Sequence, residues 1–80
     1  MKLISLSKIS EGVKGIIIEN KSSYETYRRF LDIGIVKGAS VECIGESPLK
    51  DPVALYVNGA VMAVRRKDLS DITMAVDENE

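Results

Sequence analysis

Val53-Ala54-Leu55-Tyr56-Val57-Asn58-Gly59-Ala60-Val61-Met62-Ala63-Val64 is the stretch on which the fold turns. Asparagine followed by glycine is the preferred pair for a two-residue type I′ turn, in which both φ angles are positive. Five β-compatible residues flank it on each side, so the segment reads as a hairpin with a fixed register. Val57 then faces Ala60, Leu55 faces Met62 and Val53 faces Val64, and these six are assigned to the core. The other face carries Ala54, Tyr56, Val61 and Ala63, with Arg65 at its end. It is too apolar to be left to water, so a loop, the helix or a partner is expected to cover it.

Working outward, short elements separated by turn signals give a mainly β chain with one helix. Ser47 to Pro52 is a loop, because two prolines four positions apart cannot sit inside a ladder. Before it, Val41 and Cys43 alternate with Glu42 in a half-buried strand. Ser10-Glu11-Gly12 is a turn, followed by a strand from Val13 to Glu19, in which Gly15 suggests a bulge or tight bend. After the hairpin, Asp68-Leu69-Ser70 is a turn and Ile72 to Val76 a closing strand. The helix is expected over residues 23–33. Ser22 and Glu25 fit a capping box, Tyr24, Tyr27, Phe30 and Leu31 form an apolar stripe, and Gly34 fits the left-handed terminating position.

Eighty residues suffice for one domain with a thin core. We assign residues 1–76 to it and residues 77–80 to an acidic, frayed tail. The net charge of −1 builds no field of the kind a dedicated nucleic-acid binder uses. A lone cysteine, Cys43, cannot form an intrachain disulfide, and the longest apolar run, Ala60 to Val64, is far shorter than the roughly 20 residues of a membrane span. No leader pattern opens the chain. A cytoplasmic protein without membrane insertion is the expectation.

The chemistry of catalysis is thin. With no histidine, the usual general base and commonest metal ligand are both missing. Cys43 falls on a core face and reads as a packing thiol. No soft ligands stand at zinc spacing, and Asp68 and Asp71 flank a turn as solvated charges. Every serine lacks an activating base, and Gly12-Val13-Lys14-Gly15 has neither the spacing nor the ending of a phosphate loop. Neither enzymatic activity, nor a cofactor, nor a specific metal site is expected. What remains are the basic groups Arg28-Arg29 and Arg65-Arg66-Lys67, read either as solvated faces or as contacts to an acidic partner.

Those residues also carry a resemblance. Arg28-Arg29-Phe30-Leu31-Asp32-Ile33-Gly34-Ile35-Val36-Lys37-Gly38 resembles the Arg-Leu-Leu-x-Leu-Gly-Leu-x-Pro-Gly segment of the FeoA family. Ser47-Pro48-Leu49-Lys50-Asp51-Pro52 is similar to its Pro-Leu-x-Asp-Pro loop. Gly59 through Arg66 is similar to its Gly-x-x-(Ala)-Leu-Arg ending, and Gly12 and Gly15 match an early Gly-x-x-Gly. Lys37 stands where the family has proline, and Phe30, Ile33 and Ile35 replace leucines. The resemblance implies a small SH3-like barrel with the helix inserted between early strands, related to the C-terminal part of metal-dependent repressors of the diphtheria-toxin-repressor type. It also implies a cytosolic accessory to ferrous-iron uptake that acts on the GTPase-bearing membrane transporter FeoB. Arg28, Arg29, Tyr56 and Arg65 are the candidate partner-binding residues. Two other classes stay open: a small barrel binding nucleic acid through Tyr56 and its basic neighbours, and a structural homodimer, or weak homo-oligomer, joined through hairpin edges.

Overall fold

The computed structural model describes residues Met1 to Asp77; the rest of the expected acidic tail, residues 78–80, lies outside the described residues. Among the described residues, six strands form one antiparallel sheet in the order β1-β6-β2-β3-β4-β5. They are β1 (Lys2–Ser5), β2 (Lys14–Asn20), β3 (Ser40–Glu46), β4 (Val53–Val57), β5 (Ala60–Val64) and β6 (Ile72–Val76). One helix, α1 (Tyr24–Asp32), is inserted between β2 and β3, and 3-10 turns at Leu6–Lys8 and Arg66–Leu69 pack on one another. The expected mainly β architecture with a single helix is the one observed. Phe30, Ile35, Leu55, Ile72 and Met74, with Leu6 and Leu69 from the 3-10 turns, meet in a single core cluster.

The hairpin has the expected register, Val57 opposite Ala60 through Val53 opposite Val64. Asn58 and Gly59 take φ of 55° and 80°, as a type I′ turn requires. Core assignment holds along β4, where Val53, Leu55 and Val57 are buried. On β5 it holds in part: Val64 is buried and Met62 half-buried against the core, but Ala60 is exposed. The reason is position, since β5 is an edge strand where the core tapers away.

Helix α1 starts one residue later than a Ser22 cap would place it. Ser23 is the N-cap, and its hydroxyl bonds the Thr26 hydroxyl at 3.2 Å. Ser22 is captured instead by Asn20, whose Oδ1 accepts the Ser22 N–H at 2.9 Å, so the capping box does not form. Of the expected stripe only Phe30 is buried; Leu31 is half-buried, and Tyr24 and Tyr27 are exposed. The helix residue that the core takes in fully is Phe30, near the C-terminal end. That end closes as expected. Gly34 has φ of +93°, its N–H bonds Leu31 O at 3.1 Å, and Ile35 N–H bonds Phe30 O at 2.9 Å, the paired pattern of a Schellman motif. Ile35 and Phe30 are both buried in the core, the apolar contact that accompanies this motif.

Three further expectations need correction. Gly15 marks no bulge: the register shift of β2 falls between Ile17 and Glu19, and Gly15 lies where β6 comes so close that a Cβ would strike the carbonyl of Ala75. The chain turns at Asp68-Leu69-Ser70 as expected, but Asp68 and Leu69 close a 3-10 turn that begins at Arg66, with Ser70 as its C-cap and Leu69 fully buried. Finally, β1 was not foreseen; its register with β6, Lys2 opposite Val76 through Ser5 opposite Thr73, makes the closing strand a central one.

Candidate functional site

Neighbouring residues of a helix point about 100° apart, and Arg28 and Arg29 accordingly part company. Arg28 turns back along the helix surface: its Nη1 donates to Tyr24 Oη at 3.0 Å, and its guanidinium lies 5.8 Å from the Tyr24 ring centre. Arg29 leans toward the sheet end. Its Nη2 is 3.4 Å from Asp68 Oδ2, and its guanidinium lies 5.4 Å from the centre of the Phe30 ring.

Asp68 sits in the second 3-10 turn, which starts directly after Arg65. Arg29 and Arg65 therefore line the same groove, about 310 Å³, together with Phe30, Ile33, Met62, Ala63, Val64 and Asp68. Its floor is apolar and comes from the helix end and from edge strand β5. The Schellman turn places Ile33 there, and tapering of the core leaves Met62 only half covered. Neither was named in the sequence as a contact residue: Met62 reads there as core and Ile33 as the counterpart of a family leucine.

Tyr56 lies elsewhere. It is on β4, opposite Val61 of β5 and Glu42 of β3, on the outward face of the sheet. Tyr56 and Val61 are 45% and 59% exposed, with Ile44 at 45%, so neither the helix nor a loop covers the apolar hairpin face. Of the four expected contact residues, Arg29 and Arg65 share the groove, Tyr56 sits on the face that adjoins it across β5, and Arg28 stands apart on the helix.

Arg66, adjacent to Arg65, does different work. Its Nη1 donates to the carbonyls of Ser7 and Ile9, both at 2.7 Å, and its Nε to that of Lys50 at 2.6 Å. Nη2 meets Glu46 Oε2 at 3.2 Å, and Glu46 Oε1 accepts the Glu11 N–H at 2.8 Å. This one guanidinium ties β3, the loop before β4 and the first 3-10 turn to the end of β5. Nothing in the triplet Arg65-Arg66-Lys67 distinguishes it, because its partners are remote in sequence.

A larger concavity, about 430 Å³, is lined by Met1, Gly15, Ile16, Ala75 and Val76. It brings together none of the four residues above and has no arginine at its rim. Cys43 is fully buried, its thiol bonded to Gly45 O at 3.3 Å, and burial pushes its pKa up. Among the described residues there is no group of three or more Cys, Asp or Glu side chains placed to hold a metal ion. Nor, among them, is any helix long and apolar enough to cross a membrane.

A family model described as the FeoA domain matches residues 4–76. The chain is similar to the solved structure of a FeoA-like protein from Clostridium acetobutylicum, at 29% identity over 95% of this chain and 88% of that one, with a TM-score of 0.85. It is similar to the FeoA protein from Chlorobium tepidum at 26% identity, over 96% of this chain and 73% of the other, again with a TM-score of 0.85. A third likeness, at 20% identity and a TM-score of 0.72 over 95% and 92% of the two chains, is to Stenotrophomonas maltophilia FeoA in complex with zinc. That protein is described as a unique prokaryotic SH3 domain protein and put forward as a bacterial ferrous iron transport activating factor. No curated protein matches this chain significantly.

Proposed function

This chain belongs to the FeoA domain family, and from that premise we propose that it is a cytoplasmic, non-enzymatic accessory of ferrous-iron uptake that docks on the GTPase-bearing region of a FeoB-like transporter. The observation that carries the reading is the groove where Arg29 and Arg65 flank an apolar floor at an open sheet edge. Arginine over exposed apolar surface is the composition of protein-binding surfaces. A ferrous-iron activating role, put forward for the Stenotrophomonas relative, agrees with it. Iron in this scheme is the cargo of the transporter, and the domain acts on the machinery that moves it.

The test uses the purified domain and the cytosolic GTPase region of the transporter from the same organism. Arg29→Glu and Arg65→Glu are expected to weaken binding at least tenfold while melting as the wild type does. Arg28→Glu, away from the groove, is expected to change affinity less than threefold. A wild-type domain that fails to bind the GTPase region overturns the proposal.

A further inference from the structure

Edge strand β5 differs from every other strand in the sheet. In a two-residue type I′ hairpin the pair that closes the turn is hydrogen-bonded, and bonded and non-bonded pairs alternate from there. Val57 with Ala60, Leu55 with Met62 and Val53 with Val64 are thus the bonded pairs. The N–H and C=O groups of Val61 and Ala63 point the other way, toward the open side of β5. Edges are normally guarded by charges, proline, a bulge or shortness. The opposite edge, β1, has four residues, carries Lys2 and ends in the Ser5 cap of a 3-10 turn. The five residues of β5 are Ala-Val-Met-Ala-Val, paired to β4 without a register shift, and have no such guard.

From this we infer that the partner contributes an extended, acidic-ended apolar segment that adds to β5 as a seventh strand, bonded to the Val61 and Ala63 main chain. Recognition by strand addition draws affinity from main-chain bonds and specificity from pockets for alternate side chains. Side chains on one face of the added strand would enter the groove over Phe30, Ile33 and Met62. Those on the other would extend the exposed face of Val61 and Tyr56. Two arginines against the single Asp68, already held by Arg29, leave the groove positive, which selects acidic residues at the segment's ends. This deepens the proposed docking function and rests on it.

The experiment is amide hydrogen exchange on the wild-type domain with and without the transporter's cytosolic GTPase region, alongside affinities for Ala63→Pro. Proline is tolerated at an edge where its missing N–H faces outward, yet it deletes one of the bonds in question. We expect exchange at Val61 and Ala63 to slow at least tenfold in the complex, and Ala63→Pro to bind at least tenfold more weakly with an unchanged circular dichroism spectrum. If that variant does not fold, wild-type exchange decides alone. Binding that leaves both amides unprotected overturns the strand while leaving the docking function standing; no binding at all overturns both. Sedimentation of the domain alone covers the remaining occupant: a dimer that protects the same two amides would assign the edge to a second copy and overturn this inference.

Discussion

Replacing Arg66 by alanine removes five N–H donors from a site where at least four acceptors converge. Three are main-chain carbonyls, of Ser7, Ile9 and Lys50, within 2.6–2.7 Å, and the fourth is the Glu46 carboxylate at 3.2 Å. A buried hydrogen bond to a charged group contributes about 1.5–3 kcal/mol. Here the guanidinium side chain is 23% exposed, and water can reach part of the site once the arginine is gone. Discounting for that, we take about 1 kcal/mol for each carbonyl bond and about 0.5 kcal/mol for the ion pair, which gives roughly 3.5 kcal/mol. A domain of this length has roughly 4–12 kcal/mol of stability in all, so the loss is a large fraction. At about 4–8 °C per kcal/mol it lowers the melting temperature by roughly 14–28 °C. Urea titration followed by circular dichroism measures it directly. Arg66→Lys should recover little, because one ammonium lacks the planar fork that reaches separate carbonyls together. If Arg66→Ala costs less than about 1 kcal/mol, or if Arg66→Lys is as stable as the wild type, the clasp does not hold the fold together.

Gly34→Ala should destabilise by about 1–2 kcal/mol or more, because φ is +93° and an added Cβ would meet the Asn58 side chain. Equilibrium unfolding of Gly34→Ala and of the Gly34→Ala, Asn58→Gly double variant separates the parts: the clash is relieved in the second and the backbone strain is not. Cys43 gives a pH prediction. Burial raises its folded pKa above the ordinary 9.0, so the folded chain keeps a proton that the unfolded chain sheds. That part of the stability is complete below pH 9.0 and declines as pH rises above it. Cys43→Ala should flatten the decline, and the wild-type thiol should resist aromatic disulfide reagents at pH 8 until urea unfolds the chain; rapid labelling of the native protein would contradict the burial.

How much of this was legible in the sequence follows from how local each cause is. Asn58-Gly59 and Gly34 need positive φ whatever surrounds them, and both turns stand where the residues alone put them. Strand β1 has no such marker: Lys2, Ser5 and two apolar residues become a strand only because β6 comes to lie beside them. Tyr24 and Tyr27 satisfy the helical period, but periodicity cannot say that Phe30 is the helix residue the core takes in fully. Arg29 and Arg65 could be singled out as exposed charges, but not as sharing one groove, because that depends on the 3-10 turn that brings Asp68 under Arg29. The role of Arg66 was hidden for the same reason, its carbonyl partners Ser7 and Ile9 being 59 and 57 positions away.

Adjacent arginines with opposite duties suggest how the domain is organised. Arg66 turns inward at the end of β5 and fixes where that strand leaves the sheet, through bonds to three separate chain segments. Arg65 stays exposed one peptide earlier, and Asp68 two residues later steadies Arg29 from the helix. The polar side chains near β5 thus divide between those that clamp the strand's end and those that flank its open side. An unguarded edge invites indiscriminate pairing. Flanking its groove with arginines sets like charges against the same edge of a second copy and favours an acidic segment, so the charges that narrow the choice of partner also disfavour self-association. Rigidity matters equally, since a strand whose end is clamped loses little conformational entropy when another strand pairs with it. On this reasoning the clasp and the docking edge are one device, and the stability contributed by Arg66 is also a condition for selective binding at β5.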